Sequence, residues 1–409
     1  MLRQMGLFAF KLAGLESAGH VARKWCGMRL RKLKLGMALL AGGGGRRRQG
    51  CTGPQKTSLG RTRLLGAAAM VAGLAGATSA HADFDRRSLI QLGNSVLRIE
   101  AQEDGGRIQL GSGVVIAKER VVTNCHVTRR ATNVSVVQAG TRWAVQAQVV
   151  NAERDLCLLQ VPGLPQAPVA LGRADSLHEG QDLAALGYTG GPALRISGGS
   201  VVALHHWDGQ LVIQCSNGFS SGASGGGLFD KDGRLVGILT FRLPGGRTNY
   251  YAMPAEWLPD ALEPRTAATE VRPHEGQGFW QRSMATLPPF LQAASLEQGK
   301  QWDALLQLAE RWTRDDAADA EPLYLRAVAY AHLGRDEAAA QSWRRSLAVD
   351  PRFSRSWAAL AELYHRGGQS EQAQQAMQSL SGLNPGLAQE VSERLAAPTT
   401  LAAGEAARQ

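Results

Sequence analysis

Near Pro259 the hydrophobic patterning of the chain changes character, and no single regular architecture accommodates both sides of that change. From Asn94 to about Tyr251 the sequence is a succession of short apolar runs separated by Gly, Asn and Asp. Examples are SVLRIE (95–100), GSGVVIA (111–117), LCLLQV (156–161), LVIQC (211–215) and LVGILTF (235–241). Alternation, Val/Ile enrichment and frequent turn residues predict an all-β barrel or sandwich. The absence of long helical stretches between the runs argues against a parallel α/β sheet. Residues 261–280 (ALEPRTAATEVRPHEGQGFW) are rich in Pro, Gly and charge and read as a linker. Everything after them is helical in pattern. A chain of 409 residues also exceeds one comfortable core.

The helical part contains a repeat. Tyr330, Gly334, Ala338 and Pro351 of the segment 320–353 return as Tyr364, Gly368, Gln372 and Pro385 of 354–387, and a weaker copy upstream carries Gly299 one residue off phase. This pattern resembles tetratricopeptide repeats, helix–turn–helix units of 34 residues. The glycine permits the turn between paired helices, and small residues such as Ala327 and Ala338 let the pair approach closely. Such units stack into a curved surface, for which about three are needed.

The formal charge of +10 raises the question of nucleic acid, and its distribution answers it. Residues 1–82 hold 14 Lys/Arg and a single acid, Glu16, so the remaining 31 Lys/Arg face 34 acids. The folded part therefore has no electrostatic claim on a phosphate backbone. Within the basic leader, Arg61 and Arg63 precede an apolar run, Leu64 to Ala75, and Ala80-His81-Ala82 fits a small-x-small cleavage site. The expectation is export to the periplasm or medium, with a membrane anchor as the alternative if segment 64–80 stays uncleaved. The boundaries that follow are 1–82 for the leader (signal at about 60–82), 83–260 for the β-domain, 261–280 for the linker, 281–390 for the repeats and 391–409 for a tail.

The segment GASGGGLFD (222–230) lies between two strand-like runs, and its glycines suit a backbone that projects one hydroxyl and turns N–H groups towards one point. Alone it could be an ordinary Gly-rich bend. Two other segments supply partners: VVTNCHV (121–127) places His126 just after a strand, and ERDLCLLQV (153–161) places Asp155 at the start of another. Hydroxyl, imidazole and carboxylate make a nucleophile, a base and an orienting anion, and the chain order His, Asp, Ser is that of two-barrel serine proteases.

Here the chain resembles the trypsin-like superfamily, within it the HtrA/Deg-like branch, through GSGVVI, TNCHV, RDLCLLQV, IQCSNGFSSGASGGGLFD, LVGILT and YYAMP. The resemblance implies a multidomain chain, an all-β trypsin-like double β-barrel followed by an all-α repeat domain. It implies a serine endopeptidase with His126, Asp155 and Ser224 as its triad, the Gly222 and Ser224 N–H groups as oxyanion hole, and no cofactor or metal. The substrate pocket is expected near Asn217–Ser221 and Thr240–Leu243. Gly218 stands where a trypsin-type enzyme places its pocket-floor acid, which favours small or medium apolar side chains over Arg/Lys. The chain departs from the family pattern at Ala223, where Asp or Asn is usual, and at Gly227, where Pro is usual; a looser oxyanion loop is the expected consequence.

Of the cysteines after the leader, Cys125 neighbours His126 and Cys157 lies two after Asp155, so the pair is either a disulfide beneath the triad or two buried thiols, with Cys215 left single. His205-His206 is set aside as a metal pair because adjacent strand residues face opposite ways. The helical repeats stand where an HtrA-like enzyme carries a PDZ module. They are expected to bind a protein partner or substrate, and the rival reading is an inactive protease-fold adaptor.

Overall fold

In this computed structural model, residues 84–245, 248–259 and 267–397 are described; the signal-like segment and the end of the chain lie outside them. The first element is α1 (Arg86–Asn94), whose N-terminal N–H groups at Arg87 and Ser88 are capped by the Asp85 side chain.

The β-region falls into two units. The first is an eight-stranded antiparallel sheet built from β1 (Val96–Glu103), β2 (Ile108–Ala117), β3 (Arg120–Thr123), β4 (Ala131–Gln138), β5 (Thr141–Ala144), β6 (Ala147–Asn151), β7 (Leu156–Gln160) and β14 (Thr269–Glu270), in the order β14-β6-β7-β3-β2-β1-β4-β5. The second is a closed barrel of β8 (Asp182–Tyr188), β9 (Leu194–Trp207), β10 (Gln210–Cys215), β11 (Gly227–Phe229), β12 (Leu235–Arg242) and β13 (Tyr250–Pro254). One barrel is thus closed, whereas the expected second barrel is a curled, open sheet. The reason is a bend at Val145-Gln146. Before it, β5 pairs with β4; after it, β6 pairs with β7. The chain itself, rather than a hydrogen-bonded ladder, links the two ends of the curl.

Between β3 and β4 lies the short helix α2 (Cys125–Thr128). The helical region comprises α3 (Pro289–Gln298), α4 (Trp302–Asp315), α5 (Glu321–His332), α6 (Asp336–Val349), α7 (Ser354–Arg366), α8 (Ser370–Leu383) and α9 (Pro385–Ala396). The last of these continues into the stretch that reads as a tail from sequence. Proline stands in the first turn of α3, α5 and α9, where its missing N–H costs nothing.

Each β-unit fills its own interior: Leu97, Ile99, Val121 and Leu159 in the sheet, Leu183, Ile213, Leu228 and Leu239 in the barrel. The opposite strand faces are buried too. Val114, Leu158, Leu186, Ile238 and Tyr251 join Phe279 and the helical residues Phe290, Leu305 and Trp312 in one apolar cluster. Double burial explains why LVGILTF (235–241) reads as a continuous apolar run rather than an alternation. At about 1.5–3 kcal/mol for each fully buried large apolar side chain, this shared cluster is a strong adhesive between strands and helices.

A buried ionic chain adds direction to that contact. His205 Nδ1 lies 2.9 Å from the Glu321 carboxylate, Glu321 lies 3.8 Å from Arg355, and Arg355 Nε donates to Glu179 at 2.8 Å. His205 is buried and His206 exposed, as expected for neighbours on one strand. Nothing in the residues around His205 signals that it ties β9 to α5.

Candidate active site between the two β-units

His126 stands in α2, immediately after β3. Its backbone N–H donates to Asp155 Oδ1 at 2.8 Å, and its Nδ1 lies 2.6 Å from Asp155 Oδ2. The carboxylate thus grips both the ring and the backbone of the same residue, which fixes the imidazole plane and places the proton on Nδ1. Asp155 is 1% exposed and sits at φ 54°, in the left-handed region that Asp tolerates better than most side chains. Its carbonyl accepts from Cys125 N at 3.2 Å and from Asn124 Nδ2 at 2.9 Å. The imidazole is partly open to solvent, with 20% of the side chain exposed.

Cys125 and Cys157 form a disulfide with Cα atoms 4.9 Å apart, directly behind the His126–Asp155 pair, and Cys215 is a buried free thiol that burial pushes up to about 12. His274 completes a Cys125–Cys157–His274 cluster with all ligating atoms within 4.8 Å, and burial holds its imidazole below the usual histidine range. With the sulfurs bonded to each other, the cluster has no thiolate to offer a metal ion.

Ser224 comes from the loop between β10 and β11. Its backbone carbonyl accepts from Ser112 N at 2.8 Å, which ties the loop to β2. Its hydroxyl donates to the Thr240 carbonyl at 3.2 Å, and among the described residues no hydrogen bond joins it to His126. Thr240 Oγ1 in turn accepts from Asn124 Nδ2 at 3.0 Å, so a short chain of contacts runs from the His126 segment to Ser224. Gly225, at φ 88°, could carry no side chain, because a Cβ would stand 2.1 Å from the Ser112 carbonyl oxygen.

The Gly222 and Ser224 N–H groups have no acceptor among the described residues, whereas Ala223 N and Gly225 N are bonded to Ser220 O and Leu239 O. Behind this pair sits Ser112, fully buried. Its hydroxyl accepts from Tyr188 N and donates to the Gly222 carbonyl, both at 2.8 Å. This hydroxyl ties the Gly222 peptide to the facing sheet.

At the expected substrate pocket, Asn217 is fully buried and donates to the Leu183 and Ser197 carbonyls at 2.8 Å. A Cβ on Gly218 would meet the Tyr250 hydroxyl at 3.7 Å. The Thr240 hydroxyl faces Asn124 and the Ile238 carbonyl. In the helical region a groove of about 350 Å3 is lined by Arg344, Leu347, Trp357, Leu360, Tyr364 and Ala376. Sequence reasoning missed Ser112 and also Trp280, whose indole Nε1 donates to Asp155 Oδ2 at 3.1 Å.

Residues 111–238 match the trypsin-like peptidase domain family, and residues 343–375 match a tetratricopeptide repeat family. The chain carries a trypsin-like peptidase domain followed by tetratricopeptide-like repeats. The peptidase domain is 29% identical over 140 residues to the serine protease Rv3671c of Mycobacterium tuberculosis, covering 32% of this chain and 35% of that protein. It is 32% identical over 136 residues to a probable periplasmic serine endoprotease DegP-like of Pseudomonas fulva, covering 32% of this chain and 28% of that one. The chain thus spans about a third of the length of these curated relatives. Among solved structures, the active form of the Rv3671c protease aligns over 47% of this chain and 89% of its own, at 23% identity and a TM-score of 0.43.

Proposed function

We propose that the protein is a serine endopeptidase that cleaves peptide bonds in exported proteins through His126, Asp155 and Ser224. The observation that carries this reading is the doubly bonded His126–Asp155 pair, with one carboxylate oxygen on the backbone N–H and the other 2.6 Å from Nδ1. An imidazole so held presents Nε2 as a base. A rotation about the Ser224 Cα–Cβ bond would release its hydroxyl from the Thr240 carbonyl, as attack on a substrate requires.

In the reaction, His126 takes the Ser224 proton as Oγ attacks the scissile carbonyl. Asp155 stabilises the imidazolium, and the Gly222 and Ser224 N–H groups receive the oxyanion. His126 then gives its proton to the leaving amine, and water repeats the sequence on the acyl-enzyme. The groove between repeat helices suits a peptide or partner protein, which would recruit substrate. Export is supported by the Cys125–Cys157 disulfide, which belongs in an oxidising compartment. Among the described residues no helix is long and apolar enough to cross a membrane.

A second reading has one observation in its favour: the Ser224 hydroxyl rests on Thr240 rather than on His126. In that reading the domain is latent or an adaptor. Treating the protein with a fluorophosphonate probe, alongside Ser224→Ala, separates the two. A mass adduct on Ser224 that the variant lacks supports the peptidase. Folded protein that stays unlabelled favours the second reading, a latent site or an adaptor.

A further inference from the structure

The segment between the β-domain and the repeats does more than connect them. Thr269 and Glu270 pair with β6, the Arg272 carbonyl accepts from Gln148 Nε2 at 3.0 Å, and His274 N donates to the Arg129 carbonyl at 3.0 Å. The chain then grips the loop that carries Asp155. Phe279 N donates to the Glu153 carbonyl at 2.9 Å, Arg282 reaches the Glu153 carboxylate at 2.8 Å, and Trp280 Nε1 donates to Asp155 Oδ2 at 3.1 Å. Phe279 is fully buried in the apolar cluster shared with the helices, which anchors the segment at that point.

Trp280 is held in place as well. Its indole stacks on Phe241 with centroids 4.8 Å apart and planes 12° from parallel, and it meets the His126 ring edge-on at 5.6 Å. Gly278 leaves room for this arrangement, because a Cβ there would stand 2.6 Å from Trp280 Nε1 and 3.2 Å from Asp155 Cβ. The oxygen that receives the indole N–H is the one that faces His126 Nδ1. Among the described residues, the Asp155 carboxylate has no other side-chain donor than His126 and Trp280.

We propose that Trp280 is a positioning residue of the hydrolytic site: its indole N–H fixes the Asp155 carboxylate in the rotamer that holds the His126 ring for proton transfer. The proposal rests on the triad reading above and extends it. The site then draws a polar partner from outside the segment that matches the peptidase family, from the stretch that leads to the helices. A buried carboxylate without this donor would keep its bonds to the His126 ring and backbone N–H but lose one of its three restraints, leaving Oδ2 with a single partner. A misplacement near 1 Å at such a site costs up to ~100-fold.

The decisive experiment replaces Trp280 in the full chain by 3-benzothienylalanine, which keeps ring size and stacking but puts sulfur where the N–H was; Trp280→Phe accompanies it. Two quantities are read: the kinact and KI of fluorophosphonate labelling at Ser224, and the His126 Nδ1 proton resonance in histidine-15N-labelled protein. The expected result is kinact reduced about tenfold with KI unchanged, and a Nδ1 proton line broadened by exchange with water. Unchanged kinact together with an unchanged line in folded isostere protein would overturn the proposal. Should wild-type protein fail to label at all, the triad reading falls, and the resonance still decides whether the indole N–H holds the pair.

Discussion

Ser112 shows how much of a site hangs on one hydroxyl. It bridges Tyr188 N–H and the Gly222 carbonyl, and so sets the plane of the peptide that precedes Ala223. Ser112→Ala would leave a buried donor and a buried acceptor without partners, at a cost of about 1–3 kcal/mol. It would also free the Gly222 peptide to turn. The expected outcome is a urea midpoint lowered accordingly and fluorophosphonate labelling slowed about tenfold or more. Labelling at the wild-type rate would show that the oxyanion loop holds itself. The candidate residues that the sequence singles out are those that sit in a local motif: His126 after its strand, Asp155 before the next, Ser224 among glycines. Ser112 and Trp280 act on partners 110 and 125 residues away, and nothing in their local sequence announces those partners. Ala223 was legible as a departure. The Ser112 hydroxyl that holds the neighbouring Gly222 carbonyl lies on the facing sheet, 110 residues earlier.

At the scale of elements, the helical repeats were read from their 34-residue spacing, and the one phase error has a structural cause. Gly334 and Gly368 take φ values of 72° and 69° at the turn between paired helices. In the upstream pair the left-handed residue is Lys300, at φ 51°, while Gly299 before it sits at φ −76°. The same helix-ending bond appears in all three turns, from Gln301, Arg335 and Gln369 N–H groups to the Leu296, Tyr330 and Tyr364 carbonyls. The turn is therefore in register, and the glycine is one place early. A lysine in this conformation costs roughly 1–2 kcal/mol, of which the greater chain entropy of glycine would return part. Lys300→Gly should accordingly stabilise the protein by about 0.5–1 kcal/mol, read as a higher midpoint in urea at unchanged m-value. A neutral or lower midpoint would mean the lysine side chain makes a compensating contact. The linker was the least legible element. Its Pro, Gly and charge content reads as a linker, yet Phe279 and Trp280 within it are the residues that dock it.

The whole molecule is held together across the seam between β9 and α5, where a few charges lie out of water. Burial pushes the Glu321 carboxyl up, but His205 and Arg355 outweigh it and hold the group below its ordinary value; that contribution is lost as pH falls through the acid range. Asp319, two residues earlier, behaves in the opposite way. Burial first, and then the neighbouring Glu321 carboxylate, push it from 3.8 up to about 6. Its Oδ1 accepts from Glu321 N at 2.9 Å, and its Oδ2 is buried with no partner among the described residues. Between pH 3.8 and about 6 the folded chain therefore keeps a proton that the unfolded chain has released, and stability declines as pH rises through that window. Above it the loss is complete, with a ceiling of ~3 kcal/mol set by the size of the displacement. Asp319→Asn keeps an oxygen for the Glu321 N–H and removes the charge. The variant should be more stable than wild type by about 2 kcal/mol at pH 8, with the advantage shrinking to nothing near pH 4. Urea midpoints of both proteins at pH 4, 6 and 8 check this. An advantage that persists at pH 4 would assign the effect to packing rather than to charge. Equal midpoints at pH 8 would mean that the seam tolerates the Asp319 charge, and that the ionic chain through His205, Glu321 and Arg355 alone sets its response to pH.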